Sequence, residues 1–130
     1  MPSPRDVLAR IEWSLRALAQ PSHAQHQLYP SFVCIPEELA LEFNDALLVA
    51  RAHLAGEISP VQLGVLEDLD RKLCEMSGPG TEAVWRAEAL QSAPEWAEVR
   101  TIAARAIELF GWSPDPPPPS PDTFIPGRAT

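Results

Sequence analysis

The chain has 130 residues, enough for one domain with a real hydrophobic core and no covalent staples. Its 18 acidic and 10 basic side chains leave a net charge of −8, which works against direct nucleic-acid binding and favours a basic partner surface or plain solubility. No apolar run approaches the roughly 18 residues that span a bilayer, and "MPSPRDVLARIEW" lacks the apolar core of a signal peptide, so the expected location is cytoplasmic, away from membranes.

The first element is "SPRDVLARIEWSLRALAQP". Ser3 can cap a helix, Pro4 suits its first position and Asp6 its first turn. Val7, Ile11, Leu15 and Leu18 then recur at helical spacing as a core stripe, and Pro21 ends the helix. Trp13 points away from that stripe. Either another element covers it or it is an exposed anchor.

"PSHAQHQLYPSFVCIP" has three prolines and no helical period. It reads as a surface loop pinned by Leu28, Tyr29, Phe32, Val33 and Ile35, with a short strand over Phe32–Val33–Cys34 as the other reading. His23 and His26 fall short of the three or four ligands that zinc requires, so no metal is expected.

The second long helix runs from Pro36 to Ala55, with Gly56 as its stop. Leu39, Phe43, Ala46, Leu47, Ala50 and Leu54 form one apolar face; Leu41, Leu48 and Ala52 form a second, nearly opposite. Two apolar sides predict a helix central in its domain. The remaining face carries Glu38, Glu42, Asp45, Val49 and His53. The helix dipole rewards an acid in the first turn, which accounts for Glu37 and Glu38. Glu42 and Asp45 have no such reason and no basic residue three or four positions away. Their counter-charge comes from Arg10, Arg16, Arg100 or Arg105 in the fold, from a partner, or from solvent alone.

"SPVQLGVLEDLDRKLCEMSG" predicts the third helix. Ser59 and Gln62 have capping-box spacing, and Leu66, Leu69, Leu73 and Met76 make the buried side. Glu67–Arg71 and Asp68–Lys72 are spaced as favourable ion pairs on a solvated face. Thr81 can cap a short helix reaching Leu90, with Trp85 and Leu90 inside. Ser92 and Glu95 repeat the capping-box pattern before a last helix with Trp96, Val99, Ala103, Ala106, Ile107 and Phe110 inside and Gly111 as stop. Cys34 and Cys74 read as buried free thiols, a single disulfide between them being the alternative.

From residue 113 onward seven prolines exclude a helix and favour an extended tail. It could serve an aromatic-groove module, or run back and bury Phe124 and Ile125, near Trp13. The organisation is therefore all-α: a compact four- or five-helix bundle over 1–112 with a proline-rich extended C-terminal tail over 113–130.

No glycine-rich phosphate loop, GxSxG turn or HExxH helix is present, and Glu42 and Asp45 have no nucleophile beside them. The chain reads as a non-enzymatic acidic interaction protein without a cofactor. Residues 36–75 carry nine acids and three bases, the field that would steer a basic protein surface. The candidate protein-binding residues are Glu38, Glu42, Asp45, His53 and Trp13. An immunity-type inhibitor that docks a basic toxin or nuclease domain has this physical character. The alternative is an accessory or regulatory helical domain with a small ligand between its helices.

Overall fold

Every long helix of this protein carries a proline in its first turn, where a missing backbone N–H costs no hydrogen bond. The computed structural model describes residues 3–54 and 56–120. Its elements are α1 (Pro4–Ala19), the one-turn α2 (Ser22–Gln25), α3 (Ile35–His53), α4 (Pro60–Glu75), a 3-10 turn (Glu82–Trp85), the one-turn α5 (Ala89–Ser92) and α6 (Pro94–Phe110). There is no strand among the described residues.

Local chemistry sets several of these boundaries. The Asp6 N–H donates to Ser3 Oγ at 3.1 Å and starts α1. At α4 the capping box is complete: the Gln62 N–H donates to Ser59 Oγ at 3.1 Å, and the Ser59 N–H donates to Gln62 Oε1 at 2.9 Å. Gly111 closes α6 in the left-handed region, φ 73°, which glycine adopts without a Cβ clash. The second capping box does not form. Ala93 is the N-cap of α6, and the Ser92 hydroxyl donates back to the Glu88 carbonyl. Thr81 takes the N-cap position of the 3-10 turn but without a side-chain capping bond; its hydroxyl donates to the Gly78 carbonyl.

The four long helices pack in the order α3, α1, α6, α4. Helix α1 lies between α3 and α6, and α6 also packs on α4; α3 and α4 meet only sparsely. The central pair is thus α1 and α6. This corrects the expectation of a central α3. Leu41 is 53% and Leu48 62% exposed, and Ala52 is exposed as well. The second apolar stripe of α3 faces solvent.

The core stripes otherwise lie where the periodicity puts them. Val7, Ile11, Leu15 and Leu18 of α1 are buried with Leu39, Phe43, Ala46, Leu47 and Ala50 of α3, and with Trp96, Val99, Ala103, Ala106 and Ile107 of α6. Phe110 is only half-buried and stacks on Trp112 at 4.3 Å. The segment between α4 and α6 is held by two indoles. Trp85 Nε1 donates to the Met76 carbonyl and Trp96 Nε1 to the Val84 carbonyl, both at 2.7 Å, and the rings meet edge to face at 5.5 Å.

The 21–35 segment is pinned as its apolar residues imply: Leu28, Tyr29, Val33 and Ile35 are buried. Phe32 departs from that pattern and is exposed. The segment also holds a helical turn, α2, which brings the fully buried Gln25 under α1. Gln25 Nε2 donates to the Ala17 and Leu18 carbonyls at 3.1 and 3.2 Å, serving the open C-terminal end of that helix.

Candidate protein interface

The sparse meeting of α3 and α4 leaves an open seam. Near the start of α3 a cleft of about 650 Å³ is bounded by Ala40, Leu41, Pro79 and Trp85, with Glu37 and Glu82 at its edge. A smaller hollow of about 240 Å³ shares Ala40, Leu41, Ser77 and Trp85 and extends toward Asn44, Asp70 and Leu73. A third, of about 190 Å³, lies farther along between Ala50, Arg51, Leu54, Ile58 and Leu63. Arg51 reaches across the seam toward Glu67 at 3.7 Å and Asp70 at 3.8 Å.

Helical geometry orders the α3 side chains beside this seam. At about 100° per residue, Leu41, Leu48 and Ala52 fall within about 40° of one another. Asp45 and then Glu38 flank that stripe on one side, and Glu37 and Asn44 flank it on the other. The result is an exposed apolar ridge between two acidic margins, with its Leu41 end lining the cleft. Sequence periodicity identified the ridge as apolar but gave it a buried partner.

The sequence-derived candidates do not form one cluster. Asp45 and His53 are exposed on α3. Glu38 and Glu42 are half-buried and engaged with neighbours, so they are not a free acidic pair. Three of the four arginines considered as internal counter-charges act elsewhere. Arg16 pairs with Glu12 at 3.0 Å, and Arg105 reaches Asp68 at 3.7 Å. Arg100 donates to backbone carbonyls and to Gln25. The fourth, Arg10, is exposed on α1. Burial holds the pKa of Arg100 below the usual guanidinium value. The pairs proposed within α4 also differ: Arg71 takes Asp68 at 3.1 Å, and Lys72 crosses to Glu98 of α6 at 2.6 Å.

Trp13 lies apart from the ridge. It is half-buried on α1, its ring edge-to-face with Tyr29 at 6.1 Å. Its Nε1 donates to the Pro118 carbonyl at 2.8 Å. The proline-rich segment therefore covers it. The same segment is held by Arg16, through Nε to the Asp115 carbonyl at 2.8 Å and Nη2 to the Pro116 carbonyl at 3.2 Å. Gln20 Nε2 donates to the Pro114 carbonyl at 3.0 Å, and the Ser120 N–H donates to the Leu28 carbonyl at 2.9 Å. Pro117 is buried. Phe124 and Ile125, the pair expected to anchor the tail, lie outside the described residues.

Both cysteines are free. Cys74 is exposed rather than buried, and Cys34 is half-buried with its thiol directed at the Trp85 carbonyl, 3.6 Å away. No group of three or more His, Cys, Asp and Glu residues suited to a metal occurs among the described residues, and no described helix is long and apolar enough to cross a membrane. No family model matches the chain, and no curated protein or solved structure matches it.

Proposed function

We propose that this chain is a non-catalytic binding protein whose outer α3 surface receives an apolar segment with basic flanks from another protein. The observation that carries the reading is the Leu41–Leu48 ridge. Two large aliphatic side chains two helical turns apart stand mostly in solvent, with acids on both margins, and Leu41 also lines an apolar cleft. An amphipathic helix bearing apolar anchors and Lys or Arg margins is the complementary ligand. The acidic field would speed its approach, and burial of the leucines would hold it. An inhibitor that docks a basic toxin or nuclease domain is one class that works in this way. The cleft volume favours a second reading, a small apolar ligand, because about 650 Å³ is within the range of ligand sites.

The test is a cross-linking capture from the native cell, repeated with two variants. Leu41→Gln with Leu48→Gln should abolish capture of the specific partner and leave the melting temperature near the parent value. Glu37→Gln with Asp45→Asn should slow association and weaken its dependence on salt. A partner retained equally by both variants would reject the α3 surface. A low-molecular-weight ligand recovered from the cleft would favour the second reading.

A further inference from the structure

We propose that the α1 face bearing Trp13, Arg16 and Gln20 is a polyproline-recognition groove. In this chain it is filled by residues 114–120, and it accepts a proline-rich segment of another protein in their place. This face is distinct from the α3 ridge, and the inference does not depend on the function proposed for that ridge.

The three donors recur at spacings of three and four, so they share one side of α1. All of them donate to main-chain carbonyls: Gln20 to Pro114, Arg16 to Asp115 and Pro116, Trp13 to Pro118. This is the chemistry a proline-rich ligand calls for, since proline offers a carbonyl and no N–H. The dimensions agree as well. Seven residues of α-helix from Trp13 to Gln20 rise about 10.5 Å. Four residues of polyproline from 114 to 118 rise about 12 Å. An extended segment thus runs antiparallel to α1 in register with its donors, whereas a helical one would span only about half that length.

The apolar part of the site follows the same pattern. Pro117 is buried in the docked segment, and the Trp13 indole that donates to that segment also meets Tyr29 edge to face. Aromatic surfaces of this kind take the preformed polyproline helix at low entropic cost. None of these hydrogen bonds reads a tail side chain, so the register of carbonyls and the packing of prolines matter more than the identity of the segment. Tethering places the chain's own segment at an effective concentration on the mM scale. A segment from elsewhere competes once the internal one is loosened or its own concentration exceeds that scale.

The experiment uses the full chain with Pro116, Pro117 and Pro118 all changed to glycine. The probe is an octaproline peptide, followed through the Arg16 Nε–H resonance, which the Trp13→Phe variant keeps. The expected result is a saturable shift, at least tenfold tighter than in the parent chain, and tenfold weaker again when Trp13→Phe is added. An octa-alanine peptide should leave the resonance in place. A loosened chain with native helical circular dichroism that shows no saturable shift, or binds equally well with Trp13→Phe, overturns the proposal. Should the loosened chain unfold, the parent chain decides: displacement by about 10 mM octaproline supports the groove, and an unmoved resonance rejects it. A parent chain that dimerises with concentration and whose dimer resists the peptide assigns the groove to the tail of a second copy and also overturns the proposal.

Discussion

Arg100 donates through Nη2 to the side-chain oxygen of Gln25 at 3.3 Å, while the amide nitrogen of Gln25 serves the last turn of α1. The same guanidinium reaches the Gln20 carbonyl at 2.9 Å and the Leu90 carbonyl. One cation therefore joins the ends of α1 and α5 to the side of α6, and it gathers carbonyls that would otherwise be desolvated without a donor.

Replacing either member should be costly. Arg100→Met leaves several acceptors unserved and should destabilise the fold by about 3 kcal/mol. Gln25→Leu should cost about 2–3 kcal/mol, because it keeps the volume but strips two α1 carbonyls of their donor. Thermal unfolding should show a fall on the order of 10 °C for each. Melting points within a degree of the parent would mean that water replaces the network at little cost.

Ser14 presents the opposite case. It is buried on α1, and its hydroxyl has no hydrogen-bond partner among the described residues. Ser14→Ala removes the desolvated group and improves helix propensity, so stability should rise by about 1 kcal/mol. The urea midpoint should increase at an unchanged slope. A lower midpoint would indicate that the hydroxyl is served by an internal water.

The two thiols should differ in reactivity. Burial raises the pKa of Cys34, its backbone hydrogen bond with Glu37 opposes this, and the charges of Glu37 and Glu38 raise it further. Cys74 is exposed. Iodoacetamide at pH 8, followed by peptide mass spectrometry, should modify Cys74 about tenfold faster or more, because the thiolate is the nucleophile. Equal rates would argue for opening of the Cys34 region in the native state.

Lys72 gives a prediction for alkaline pH. Its pKa is raised from the ordinary value of 10.5, chiefly by the side-chain hydrogen bond to Glu98. A raised folded value means that the stabilising term is complete below the unfolded pKa and disappears as pH rises through the folded one. The Glu98 side is largely exposed, so at neutral pH the pair should contribute only about 0.5 kcal/mol. Lys72→Met should lose that amount at pH 7 and approach parity with the parent once the pH has risen past the raised lysine pKa. A deficit that persists at high pH would point to packing of the lysine stem.

The helices and their inner faces were legible because period, proline at the first turn and stop residue agree within each segment. The order in which the helices pack was not. Leu41 and Leu48 form a good apolar stripe, and periodicity alone cannot tell a stripe awaiting a neighbouring helix from one left open. A tail running back near Trp13 was one of the readings, but with Phe124 and Ile125 as its anchors; Arg16 and Gln20 gave no signal, because their donors meet carbonyls about a hundred residues away. Gln25 gave no signal. A glutamine in a proline-bounded loop looks solvated until α2 turns it beneath α1. Likewise Ser92 and Glu95 satisfy a spacing rule, yet Ala93 takes the cap because Pro94 already opens the helix.

The pairing of α1 with α6 has a consequence for synthesis. In synthesis α1 leaves the ribosome well before α6, with the other helices between them. The partner of Trp13 lies 105 residues farther along. During that interval Ile11, Leu15 and Leu18 lack the cover of α6, and the carbonyls that Trp13, Arg16 and Gln20 bind have not yet been made. Folding on the ribosome therefore cannot close the core stepwise from the N-terminus. The nascent chain carries an incomplete α1–α3 pair, a natural client for chaperones that shield apolar surface, until α6 arrives and the whole bundle condenses at once.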